Sequence, residues 1–291
     1  MWEFLLEPGA AICIATLLGL VVGSFLNVVI LRLPARLMHS WREQSREILE
    51  LETDAAGDVT PAPPGIVHEP SHCPHCKHRL GALENIPLFG WLALRGRCKH
   101  CGASISVQYP LVEVLTALLS AVVVWKFGLT WNAAAGLLFS WALIALAGID
   151  VRTQLLPDQI TLPLLWLGLL VALIPLFVDA QAGVLGASLG YLSLWSVYWL
   201  FKLATGKEGM GYGDFKLLGA LGAWMGPWAL LPIVLLSSLI GAICGGAMLA
   251  LQGRDRATPI PFGPFLATAG WVEFVFGTQL SHLYQNLFGI T

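Results

Sequence analysis

The chain has 291 residues, of which 56% are hydrophobic and only 12% charged, with a net charge of -2 and a mean hydropathy of +0.73. A soluble domain carries roughly 25% charged residues, so the composition excludes an ordinary soluble enzyme and points to a chain that crosses a membrane many times. No basic run suggests a nucleic-acid partner.

A bilayer core of ~30 Å needs about 20 apolar residues per helix. Eight apolar segments approach this, at 9–31, 109–127, 132–150, 160–178, 183–203, 215–226, 228–251 and 261–279. The expected fold is therefore an all-α polytopic membrane protein of about eight transmembrane helices. The sixth segment is short and is parted from the seventh only by Gly226-Pro227-Trp228, which is the weakest boundary. The first exceeds the ~7–15 residues of a signal-peptide core and no small-residue cleavage site follows, so it is expected to remain as an anchor.

The expected domains are a first helix at 1–31, a loop domain at 32–108 and a seven-helix membrane core at 109–291. With eight crossings, fifteen of the sixteen Lys and Arg residues fall on one side, and only Lys126 on the other. Basic residues collect on the cytosolic side, so the loop faces the cytosol and both termini face out.

Within the loop, 36–51 has Leu37, Trp41, Ile48 and Leu51 among charged residues. It reads either as an amphipathic helix on the membrane surface or as a solvated helix packed on the loop. The stretch 54–64 reads as a linker rich in Pro, Ala and Gly. Two C-x-x-C pairs follow, Cys73/Cys76 and Cys98/Cys101. Four thiolates at this spacing suit a closed, structural tetrahedral zinc site. Disulfides are the alternative, disfavoured in the cytosol. His72, His75, His78 and His100 lie nearby as substitute ligands. Cys13 and Cys244, inside apolar segments, read as packing residues.

Two acidic edges remain. Asp150 ends the third segment and Asp214 begins the sixth, and the alternation of crossings puts both at the cytosolic face. Each has a plainer reading. Asp is a favoured helix N-cap, which suits Asp214 and suits Asp158 after Pro157 better still. Asp150 at a helix C-terminus is disfavoured by the macrodipole. If the two aspartates meet, one can hold a proton while the other does not. The ionised member can then deprotonate a water and the other donate to a peptide carbonyl. The helix ends suggest Asp214 as the initial base and Asp150 as the initial acid, although a pair titrates as a unit. Gly206, Gly209, Gly211 and Gly213 leave room for an extended peptide backbone, or form a flexible connector.

These motifs together resemble the type IV prepilin peptidases, membrane aspartic proteases of the GxGD type. The resemblance rests on Gly211-Tyr212-Gly213-Asp214-Phe215-Lys216, on 150–163 with its two aspartates, and on Gly23-Ser24-Phe25-Leu26-Asn27 with Arg32-Leu33-Pro34. Both cysteine pairs and Tyr109-Pro110-Leu111-Val112-Glu113 extend it over nearly the whole chain. It implies a bacterial inner-membrane enzyme that removes the basic leader of prepilins or pseudopilins at the cytosolic face. Many members then methylate the new N-terminus with S-adenosylmethionine. Asp150 and Asp214 become the catalytic pair. Gly211, Gly213, Lys216 and Asp158 become loop or substrate-binding residues. Gly96 matches a position linked to methylation, with a tight turn beside the second knuckle as its other explanation. A proton- or cation-coupled transporter using the same acids is the competing function, and it would show an internal repeat or acids near mid-span.

Overall fold

A computed structural model of the chain describes residues 7–49, 62–67, 69–252 and 260–288. These residues form helices and loops without a strand; two isolated bridges, His72–Arg79 and Arg97–Ser104, lie in the loop. The helices are α1 (Pro8–Ile48), α2 (Phe89–Ala93), α3 (Gln108–Phe127), α4 (Trp131–Thr153), α5 (Asp158–Leu173), α6 (Ala180–Thr205), α7 (Tyr212–Met225), α8 (Leu230–Gln252) and α9 (Gly263–Phe288). Each of the eight apolar segments coincides with one of these helices. Four helices (α1, α3, α4 and α6) and the stretch Pro227–Ala247 are long and apolar enough to cross a membrane, while α5 is a shorter apolar helix. The chain divides into two compact units, Met1–Val122 and Val123–Thr291.

In the first unit, the expected span at 9–31 and the described part of the expected helix at 36–51, up to Ile48, are one continuous helix of 41 residues, with Pro34 inside it. At 1.5 Å per residue α1 is about 60 Å long, twice the hydrocarbon core. Small or polar residues recur every fourth position on its buried face: Ala11, Ala15, Gly19, Gly23 and Asn27. They let α3 approach closely. A methyl group added at Gly19 would lie 2.7 Å from the Ala117 Cα, and one at Gly23 2.7 Å from the Glu113 Cα. Asn27 Nδ2 donates to the Tyr109 carbonyl at 3.0 Å. Arg32 donates to the carbonyls of Gly65 and Glu69 at 2.6 and 2.9 Å, fastening the returning loop to α1. The expected linker lies mostly outside the described residues. Cys13 and Cys244 are exposed on α1 and α8 and are not part of the buried core.

In the second unit, α7 is the central element. It has only 14 residues, and every residue from Asp214 to Trp224 except Lys216 is buried. A helix apolar all round belongs inside a bundle. Glycines set its contacts with α6: Gly186 meets Gly222 backbone to backbone, and Gly190 meets Leu218 and Gly219. Trp224 covers Gly168 of α5 and donates to the Leu164 carbonyl at 2.9 Å. Phe139, Phe177, Trp224 and Phe274 close the core as one aromatic cluster, with Phe139 and Phe274 centroids 4.6 Å apart. α7 ends at Gly226, whose φ of 78° and the following Pro227 turn stop the helix before α8. The weakest boundary of the sequence reading is thus a real break.

Candidate active site

Asp150 lies in the last turn of α4, which ends at Gln154 in the left-handed conformation. Asp214 is the third residue of α7, after an N-cap glycine, Gly211. Asp214 is therefore not the N-cap of its helix; its side chain turns back toward the Gly211 amide. Both carboxylates are buried, at 4% and 7% exposure. Both line one cavity of about 530 Å³ and lie close enough to act on each other electrostatically. Gly209, Gly211 and Gly213 line the cavity, together with Gln154, Leu156, Pro261 and Phe262. Glu208 lines it too, and Lys202 holds that carboxylate at 2.8 Å. The titratable side chains among the described lining residues are Asp150, Asp214 and Glu208.

Gly263 N–H, at the start of α9, donates to Asp150 Oδ2 at 3.0 Å. This removes the asymmetry of helix ends expected from sequence. Asp150 ends α4, yet its carboxylate sits at the N-terminus of α9, as that of Asp214 sits at the N-terminus of α7. Both therefore face the positive end of a helix. The dipole argument no longer singles out either one as acid or base.

Leu156 spaces the two edges. A methyl at Gly213 would lie 2.6 Å from the Leu156 Cβ, and one at Gly263 2.7 Å from Asp150 Oδ2. Asp158 opens α5, and Lys216, two residues beyond Asp214 on α7, donates to both its oxygens at 2.6 and 2.8 Å. The ion pair joins the segment after Asp150 to the helix carrying Asp214. Their side chains are 28% and 50% exposed, and such pairs contribute about 1 kcal/mol or less to stability. Lys216→Met is expected to lower leader-cleavage kcat/KM roughly 10–100-fold by loosening the pair's geometry and to leave thermal unfolding nearly unchanged. A fall in melting temperature that tracks the activity loss would assign the pair to stability instead.

The second centre is in the first unit. The Sγ atoms of Cys73, Cys76, Cys98 and Cys101 all lie within 4.8 Å of one another. Cys73–Cys101 are 3.8 Å apart and Cys76–Cys98 3.9 Å. Zn–S bonds of ~2.3 Å in a tetrahedron require S···S of about 3.8 Å, and a disulfide requires about 2.05 Å, so the geometry fits a four-thiolate ion. The two knuckles repeat one design. Cys73 and Cys98 amides bond to the His78 and Ala103 carbonyls, and each knuckle turns through a positive-φ residue, Lys77 or Gly102. Amides of Cys76 and His75 push the Cys73 thiol down to about 6. Cys76 is pushed up to about 11, its bond to the His78 amide outweighed by desolvation and by the neighbouring sulfurs. The donor set and its spacing fit a cation between the four sulfurs. His78 and His100 stack on each other with centroids 3.6 Å apart.

Gly96 lies beside the second knuckle with φ +67°, and a methyl there would lie 2.8 Å from the Trp91 ring. Trp91 Nε1 in turn donates to the Ile105 carbonyl at 3.2 Å. The turn and the ring give this glycine a structural role in the loop.

Leu156, Glu208 and Gly263 went unnoticed in the sequence. Leu156 and Glu208 stand within a few residues of motifs already singled out, which is a signal in the sequence. Gly263 follows Pro261 and Phe262 with nothing in the chain to pair it with Asp150.

Fold and site thus define a polytopic helical membrane protein with a buried carboxylate pair at a glycine-lined cavity and a four-cysteine cluster with the spacing of a metal site. Residues 17–127 match the bacterial peptidase A24 N-terminal domain, and residues 137–246 match the type IV leader peptidase family. The prepilin leader peptidase/N-methyltransferase of Xanthomonas campestris pv. campestris is 55% identical over 98% of both chains. Those of Stutzerimonas stutzeri and Pseudomonas aeruginosa, bearing the same name, are 55% and 52% identical over 97% of this chain and 96% of theirs. The chain belongs to the type IV leader peptidase family. No solved structure matches it.

Proposed function

We infer that the chain is a prepilin leader peptidase and N-methyltransferase. It cleaves the leader from type IV prepilins or pseudopilins and methylates the new N-terminal amine. The single observation that carries this reading is the 55% identity, end to end, to relatives of that name. The transporter reading has no support from these relatives, and the chain shows no internal repeat.

Asp150 and Asp214 are assigned to the peptidase step. The reading is supported by their burial at one cavity that Gly209, Gly211 and Gly213 also line. One ionised carboxylate takes a proton from water, whose oxygen attacks the scissile carbonyl. The other, protonated, donates to the carbonyl oxygen, and collapse of the tetrahedral intermediate passes a proton to the leaving amine. Gly211 and Gly213 give the substrate backbone room, and Lys216 and Asp158 hold the two edges in register.

The four cysteines are assigned to structural zinc, which adds no open coordination position. S-adenosylmethionine supplies the methyl group when bound, and Gly96 is assigned to that activity through the packing of the loop. The proposed domains are the first helix at 1–31, the loop at 32–108 and the peptidase core at 109–291. Placement in the bacterial inner membrane, with site and loop cytosolic and termini periplasmic, rests on the distribution of basic residues.

The test is incubation of the purified chain in lipid with a prepilin, reading leader removal and the mass of the new N-terminus with and without methyl donor. A truncated product that gains one methyl mass only with donor is expected. An intact prepilin under conditions where the protein stays folded would overturn the assignment.

A further inference from the structure

The loop between α1 and α3 contains an apolar run that neither the metal cluster nor the aspartate pair uses: Ile86-Pro87-Leu88-Phe89-Gly90-Trp91-Leu92-Ala93-Leu94. Its inward side is already occupied. Gly90 is buried against the Glu84 carbonyl, and Trp91 covers Gly96. Phe89 and Leu92, one turn apart on α2, therefore point outward, with 62% and 52% exposure, and Ile86 is 42% exposed beside them. A water-facing loop seldom presents such a cluster.

The anchoring of the run gives its depth. Leu88, in a positive-φ conformation (61°), donates its amide to Glu113 Oε2 at 2.7 Å. Glu113 is buried in the second turn of α3, next to Gly23 and Ser24 of α1. The other end of the loop is fastened by Arg32, eight residues further along α1. Arg32 ends the apolar run of α1 and belongs at the headgroups. Ser24 and Arg32 are eight helical residues, about 12 Å, apart along α1, so the anchor of Leu88 lies further into the apolar stretch than the anchor of Gly65 and Glu69. A non-helical backbone amide at that level has no water to bond. The buried Glu113 carboxylate gives it a partner. Arg95 and Arg97 follow the run immediately.

We propose that residues 86–94 dip into the bilayer, with Ile86, Phe89 and Leu92 among the lipid chains and Arg95 and Arg97 at anionic headgroups. The partner of this surface is thus the lipid itself. A loop read as wholly cytosolic is instead part of the membrane interface, with the metal cluster above it.

The test places a photoreactive benzoylphenylalanine at Phe89, Leu92 or Lys99 in the full chain, in nanodiscs of phosphatidylethanolamine and phosphatidylglycerol. Metal content and leader cleavage serve as checks of folding. Lipid adducts at Phe89 and Leu92 are expected in about tenfold excess over Lys99, as their burial in the interface requires. Equal yields, or crosslinks to a second copy of the chain in place of lipid, would overturn the proposal. Oxidative footprinting of the unmodified chain in the same nanodiscs checks it without substitution. Phe89 should be spared while His75 is labelled, and heavy oxidation of Phe89 rejects the membrane placement.

Discussion

Asp150→Asn and Asp214→Asn are each expected to abolish leader cleavage while leaving the protein folded. Loss of one positioned acid or base costs about 10²–10⁴-fold, and because the two act as a unit the double variant should be little worse than either single one. Asn keeps an oxygen for the Gly263 amide at position 150, so the start of α9 should not be released. The measurement is single-turnover cleavage of a prepilin, with a thermal melt alongside. Full cleavage by either variant would end the paired-carboxylate mechanism. Methylation of a prepilin that has already lost its leader should continue in both variants, because neither aspartate belongs to the unit that carries the metal loop.

Removing the metal ligands should have the opposite pattern. The described loop is held by two knuckles, a few carbonyl bonds to Arg32 and Arg36, the Leu88 bond to Glu113 and the Trp91 contact. That is a small core, and structural zinc supplies about 10–16 kcal/mol of binding free energy to such modules. Cys73→Ser with Cys98→Ser, or stripping by a strong chelator, is expected to release one metal ion per chain. Amide exchange protection should then fall across 71–106 and remain unchanged in α4 to α7. Methylation is expected to fail and cleavage to survive. If both activities persist without metal, the loop has no part in the second reaction. If cleavage is lost as well, the loop also serves the peptidase step.

How much of this was legible in the chain depends on the range of each interaction. The apolar segments, the glycine break before Pro227 and the cysteine spacing are local patterns, and each matches a helix, a break or a cluster in the structure. Basic residues supplied a global argument from a count, and it brought Asp150 and Asp214 to the same face. The failures all involve a partner far along the chain. Asp150 was judged by the helix it ends, whereas its carboxylate is bonded 113 residues away. Asp158 was read chiefly as a cap, whereas Lys216 holds it across 58 residues. The first span and the helix after it were separated because Pro34 and the charges that follow look like a boundary. The helix runs through them, since a proline costs one backbone bond and the chain there keeps α3 and the loop for support. Gly19 and Gly23 illustrate the same limit: their fourfold spacing announces a close helix contact, but α3 as the partner is visible only in space.

The bond between Asp150 and the Gly263 amide has a thermodynamic consequence. Ile260, Pro261 and Phe262 form a wall of the cavity and lead straight into Gly263. A peptide that presses on this wall must alter the donor that Asp150 carries, and the protonation state of Asp150 must alter how the wall receives a peptide. Linkage makes the two effects equal in free energy. Peptide affinity and the proton affinity of the pair are thus reciprocal quantities, and an inhibitor that contacts only Pro261 and Phe262, without touching either aspartate, should shift the titration of both.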